Sequence, residues 1–302
     1  MYEAPELSVI IVSYNAIDTI QHCLDSLERQ TTSRGFETIV VDSSTDGTGE
    51  LVKKKFPRVK LYRFSERKFP GDARNIGISL AKTKILAFLD ADCQAESNWI
   101  EEIVKAHNFP HQVIGGAIAN GNPESYVGWA AYFCEFSQWM PGTKPQWMTD
   151  IPGANISYKK EIFETHGGFI EGTYCSDTDF HWRIGDHGHS LLFHPSILVS
   201  HINISSLERF LRHEYFHGRS FARVRVGSRG LSGWRRAAYV TFLPLVLAKL
   251  LLERSRSVFR SSIYLPQFLK VSPLLAVGVF CWSLGEAVGY AGKRTWWKRR
   301  DQ

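Results

Sequence analysis

Asp90-Ala91-Asp92 is the most chemically suggestive spacing in this 302-residue chain. In extended backbone alternate side chains share a face, so two carboxylates at this spacing can hold one hard divalent cation, Mn²⁺ or Mg²⁺, while a diphosphate supplies further oxygens. His201, just past the apolar run Ile197-Leu198-Val199, is a candidate third metal ligand. Asp42 closes another apolar run and can accept hydrogen bonds from a base edge, or serve a turn with Asp46-Gly47-Thr48. Arg74-Asn75, at the head of a helical segment, suits phosphate or base, and equally an ordinary cap. Asp177 and Asp179 precede His181-Trp182-Arg183 in another helical segment. A carboxylate there can act as general base toward an acceptor hydroxyl, or complement the helix dipole, a role that fits Asp179 better.

Positioning these groups requires a scaffold, and the first part of the chain spells one out. Leu7 to Val12, Thr38 to Val41, Val59 to Tyr62 and Ile85 to Leu89 are apolar, β-branched runs of strand length. Between them Ile17, Ile20, Leu24 and Leu27 mark one face of a helix, and Gly71 to Asn75 opens another. Continuous apolar strands alternating with helices predict an α/β fold with a mostly parallel sheet covered on both faces. In such sheets the ligand crevice lies beyond the carboxyl ends of the strands. Tyr14, Asn15, Asp42, Asp90 and Asp92 all fall at those ends and are expected on one rim.

Beyond residue 110 the rhythm changes. An aromatic block runs from Tyr126 to Trp147, Pro152 to Tyr158 reads as a loop entering a strand, and Leu207 to Arg225 as a basic amphipathic helix. The block suits core packing or stacking on an acceptor. The expected division is 1–110, 111–225, and 226–302 as a basic helical tail.

Charge separates that tail from the rest. Residues 1–200 carry 18 Lys/Arg and 25 Asp/Glu, net −7, whereas 201–302 carry 18 and 5, net +13. Such asymmetry points to an anionic partner, with a membrane surface favoured over nucleic acid. Ala237 to Leu252 is short for a membrane span and contains Pro244 and Lys249, while Val271 to Gly292 has Glu286 as its only charge. Basic and Trp residues from Lys293 to Arg300 follow it, as suits a membrane–water interface. Two spans would leave Arg254, Arg256, Arg260 and Lys270 outside, so an interfacial or re-entrant pair on the cytoplasmic face is preferred, with a soluble helical hairpin as the alternative. Five cysteines without a C-x-x-C pair, and acids at Glu3 and Glu6 where a signal peptide is basic, fit a reduced cytoplasmic body. A mean hydropathy of −0.18 excludes a polytopic transporter.

Six short motifs in order, SVIIVSYNA, IVVDSSTDGT, GDARNIGI, ILAFLDAD, GANISYKKEIFETHGGF and SDTDFHWRIGDHG, resemble family 2 glycosyltransferases with the GT-A fold. The apolar tail resembles that of membrane-associated bacterial members. The resemblance implies that Tyr14, Asn15, Asp42 and Arg74 bind the donor nucleotide. It assigns Asp90 and Asp92 to the metal-bound diphosphate and Asp177 to catalytic base. Trp147 in the aromatic block and Asn155 in the fifth motif are candidate acceptor contacts. Ser176 stands where the family's Glu-Asp pair has Glu. Arg212-His213-Glu214-Tyr215-Phe216 replaces the Q-x-x-R-W of processive synthases, which favours single-sugar transfer.

The expected activity is therefore metal-dependent, inverting transfer of one sugar from a nucleoside diphosphate, expected to be UDP, to a lipid-linked or envelope glycan hydroxyl. A sugar-nucleotide nucleotidyltransferase is one alternative, although SYNAIDTI lacks its Gly-rich basic loop. A non-catalytic basic adaptor for membrane or nucleic acid is the other.

Overall fold

The computed structural model describes residues 5–292. Its first half alternates strands β1 (Leu7–Ser13), β2 (Phe36–Asp42), β3 (Lys60–Arg63) and β4 (Ile85–Asp90) with helices α1 (Ile20–Glu28), α2 (Thr48–Lys55) and α3 (Pro70–Leu80). These four strands pair in parallel in the order β3-β2-β1-β4. In register, Ser13 lies beside Asp42 and Val12 beside Asp90, so the strand ends form one edge. Odd residues of β1 (Leu7, Val9, Ile11) pack with Ile20, Leu24 and Trp99 on one face. Ile10 packs with Ile39, Phe88, Ala73 and Phe180 on the other. Burial on both faces explains why β1 reads as an unbroken apolar run.

The second half contains β5 (Cys93–Ala95), α4 (Trp99–His107), β6 (Val113–Asn120), α5 (Tyr126–Phe136), β7 (Gln146–Met148) and β8 (Asn155–Lys159). Then come α6 (Glu161–His166), α7 (Ser176–Asp186) and β9 (Leu191–His201). The sheet continues from β4 through β8, β6, β9 and β5, with β7 on β9. Here the expectation of a mostly parallel sheet is corrected. β8 runs antiparallel to both β4 and β6, and β5 and β7 run antiparallel to β9, so the sheet is mixed. Periodicity reports that a strand is buried, and carries no sign of its direction.

Four helices complete the described residues: α8 (Leu207–Ser228), α9 (Gly233–Thr241), α10 (Leu243–Ser261) and α11 (Leu265–Ala291). The apolar stretch 237–252 is divided at Phe242, where α9 ends and Pro244 starts α10, which runs on into charged sequence. α11 is long and apolar enough to cross a membrane, yet part of its surface is buried against the protein. It crosses α8 at backbone contact distance. A Cβ on Gly218 would fall 2.1 Å from the Trp282 carbonyl oxygen, and one on Gly285 2.0 Å from that of Tyr215. Only glycine permits so close an approach. The basic segment 293–300 lies outside the described residues.

Candidate active site

Asp90 and Asp92 bracket the sharp exit from β4, and His201 ends β9 next to them because β5 pairs Cys93 with His201. Nε2 of His201 stands 3.3 Å from Oδ1 of Asp92. Its Nδ1 faces Oδ1 of Asn203 at 3.1 Å, an oxygen that can only accept, so Nδ1 carries the proton. Nε2 faces a carboxylate oxygen that is itself buried without a hydrogen bond, and in the neutral ring it offers a lone pair to the same space. A carboxylate oxygen and an imidazole nitrogen so placed can share one metal ion, and the donor set of carboxylates and imidazole suits Mn²⁺ or Mg²⁺.

Asp177 is on the first turn of α7. Oδ2 accepts from the Gly153 backbone N–H at 2.9 Å and Oδ1 from that of Thr178 at 3.0 Å. Arg74, buried on α3, joins the two acidic centres: Nη2 is 3.2 Å from Oδ1 of Asp90, and Nη1 3.8 Å from Oδ2 of Asp177. Burial pushes Asp90 above the usual carboxylate range although Arg74 opposes it. Burial acts on Asp177 in the same direction, but Arg74, His181 and the two backbone N–H groups outweigh it and hold that carboxyl below its ordinary value. Arg74, Asp90, Asp92, Asp177 and His201 all line one cavity of about 610 Å³. An ionised carboxylate therefore shares a hollow with candidate metal ligands.

Tyr14, Asn15 and Asp42, the other residues expected to bind the donor, lie outside the lining of that cavity. Asn15, at φ 51°, accepts from the Thr45 N–H and donates its own N–H to Oγ of Ser44, folding the loop after β1 onto the loop after β2. Asp42 accepts from Oγ of Ser44 at 2.5 Å through Oδ1, while Oδ2 is buried without a hydrogen bond. Tyr14 is 41% exposed beneath the Arg67 guanidinium, which lies 4.2 Å from the ring centroid.

Neither acceptor candidate reaches the cavity. Asn155 is wholly buried: Oδ1 accepts from Nε1 of Trp99, and Nδ2 donates to the carbonyls of Ala117 and Ile197. Those carbonyls flank the register shift between β6 and β9, so the amide satisfies the bulge. Trp147 is 59% exposed on β7 and packs edge-on against His111. Residues from distant elements replace them. Asp150 accepts from Nδ1 of His181 at 2.6 Å and from Oγ1 of Thr178 at 2.8 Å, and Tyr158 donates to Nε2 of the same histidine. Glu135 of α5, Arg254 of α10 and Trp282 of α11 also line the cavity. An isolated acid in Thr149-Asp150-Ile151 gives no motif to read, and the helical contributions depend on long-range packing.

The match to glycosyl transferase family 2 spans residues 8–167, just over half of the chain. The chain belongs to glycosyl transferase family 2. It is 29% identical over 205 residues to glycosyltransferase AglE of Haloferax volcanii, covering 65% of this chain and 67% of that one. It is 26% identical to a pre-mycofactocin glycosyltransferase of Mycobacterium tuberculosis over 73% of this chain and 48% of the relative. With validoxylamine A glucosyltransferase of Streptomyces hygroscopicus, 37% identical over 111 residues, it spans only 26% of the relative's length. Among solved structures, mannosyltransferase PcManGT from Pyrobaculum calidifontis, in complex with GDP-Man and Mn²⁺, aligns with TM-score 0.59 at 18% identity. That alignment covers 95% of this chain and 87% of the other. TarS 1-349 of S. aureus with UDP-GlcNAc aligns at 0.54 and 15% identity over 94% and 91%. The protein is a glycosyltransferase of GT-A-like fold, and the adaptor and nucleotidyltransferase readings lose their footing.

Proposed function

We infer that this family 2 member transfers a single sugar, with inversion, from a nucleoside diphosphate to an acceptor hydroxyl. The observation that carries this reading is Asp177, held ionised, in one cavity with Asp90, Asp92 and His201. Asp92 and His201, with Asp90 beside them, would hold Mn²⁺ or Mg²⁺, which when bound neutralises charge developing on the diphosphate leaving group. Asp177 takes the proton of the acceptor hydroxyl as that oxygen bonds to the anomeric carbon and the carbon–phosphate oxygen bond breaks. Arg74 keeps the base ionised and fixes its distance from Asp90. Tyr14, Asn15 and Asp42 form the nucleoside end of the site, where Oδ2 of Asp42, 3.7 Å from Nε of Arg63 and without a hydrogen bond, offers an acceptor to a base edge. Related structures contain GDP-Man in one case and UDP-GlcNAc in another, so a UDP-sugar is the first donor to test with GDP-mannose beside it.

The acceptor is read as lipid-linked or an envelope glycan, presented at the cytoplasmic face. Supporting this, α9 and α10 expose Trp234, Phe242 and Leu245 beside an apolar groove containing Arg235, within the strongly basic third of the chain. The deciding experiment is a donor screen for released nucleotide with and without Mn²⁺ or Mg²⁺ and a crude lipid acceptor. Asp92→Ala and Asp177→Ala should each abolish turnover, and full turnover in both would sink the assignment.

A further inference from the structure

Helix α8 carries His213-Glu214-Tyr215-Phe216-His217, an H-E-x-x-H run. Its two histidines are four residues apart and so project from one helical face. Packing brings Glu135 of α5 against them, and one ligand atom from each of the three lies within 4.8 Å of the others. All three side chains line the cavity, so an ion can reach them from solvent. They share no residue with the Asp90, Asp92 and His201 set.

Oε1 of Glu135 pairs with Nε2 of His213 at 2.9 Å, which brings a carboxylate and an imidazole together at the cavity wall. Nδ1 of His217 is buried without a hydrogen-bond partner. Trp282 of α11 packs edge-on against the His217 ring at 4.6 Å and fixes its orientation. Three groups of metal-ligating type thus meet at one place on the cavity wall.

We propose that Glu135, His213 and His217 form a second divalent metal site, of the zinc class, with an open coordination position toward the cavity. Two imidazoles and one carboxylate suit Zn²⁺ in a three-ligand site, whereas an aspartate pair suits Mn²⁺ or Mg²⁺. Glu214, the acid within the motif, is fully buried and lies outside the cavity lining. The site therefore lacks the cavity-facing base with which such a motif serves hydrolysis, and its role is to bind an oxygen of a cavity ligand rather than to cleave a bond.

Cobalt(II) titration of the full-length, metal-stripped Asp92→Asn chain reads this site apart from the aspartate pair and without any transfer assay. The expected result is the intense visible absorption of four-coordinate cobalt at one equivalent, removed by added Zn²⁺. Glu135→Gln, nearly isosteric, and His217→Asn should each weaken binding by roughly tenfold or more while circular dichroism and melting show the fold intact. Absence of this absorption from both the wild-type and Asp92→Asn chains would overturn the proposal. So would an unchanged titration in either ligand variant. Failure here leaves the transferase reading standing, since no turnover enters the measurement.

Discussion

Arg74 stands between two acids that would otherwise repel each other, and its removal has a calculable sign. Without the guanidinium the pKa of Asp177 rises, so the base protonates at higher pH. Arg74→Gln should move the acidic limb of the kcat profile upward, measurable by turnover across pH. Asp177→Asn should lower kcat by roughly 10²–10⁴-fold, the range for a lost general base, while calorimetry shows donor binding retained. His107 provides a separate titration, away from the cavity. Its ring lies 2.9 Å from Oγ of Ser157, which itself donates to the Ile114 carbonyl, and burial lowers its pKa to about 4. The unfolded chain binds this proton near pH 6.5, so stability is intact above that pH and is lost as pH falls toward about 4. The loss is about 3 kcal/mol. Denaturant melts of wild type and His107→Gln should converge in their pH dependence only if this proton contributes nothing.

Several elements were legible from local pattern alone. The apolar runs of β1, β2 and β4, each ending in polar residues, put Tyr14, Asn15, Asp42, Asp90 and Asp92 along one edge before any coordinates, because burial on both faces leaves a plain signature. Asp177 on the first turn of α7 and Leu207 to Arg225 within α8 were readable for the same reason. What escaped was relational. Asn155 looks like a site residue in sequence, but the bulge whose carbonyls it satisfies exists only once β6 and β9 pair. Nor does any local pattern announce that α10 and α11 fold back onto the cavity. Gly153 is a test at this scale: its N–H donates to Asp177, and a Cβ there would fall 2.2 Å from Nη2 of Arg74. Gly153→Ala should displace the guanidinium and reduce turnover by an order of magnitude or more, measured as released nucleotide. Gly285→Val instead drives a side chain into the Tyr215 carbonyl, and should destabilise the whole protein by separating α11 from α8.

At the scale of the described molecule, the C-terminal helices and the candidate site are one construction. Leu250, Arg254 and Trp282 face the same cavity as Asp90 and Asp177, so cutting the chain before Arg235 removes a wall as well as a surface. Membrane attachment is therefore better probed by substitution. Trp234→Asp combined with Phe242→Asp should reduce co-sedimentation with anionic vesicles several-fold while soluble-acceptor turnover persists, and raising salt should weaken the wild-type association. A shared wall also bears on how the protein comes into being. The sheet that bears the acidic residues is made before α10 and α11, and it can begin to fold as it leaves the ribosome. Until those later helices arrive the hollow lacks part of its wall, so an unfinished polypeptide holds Asp90, Asp92 and Asp177 and still has no enclosed chamber in which to use them.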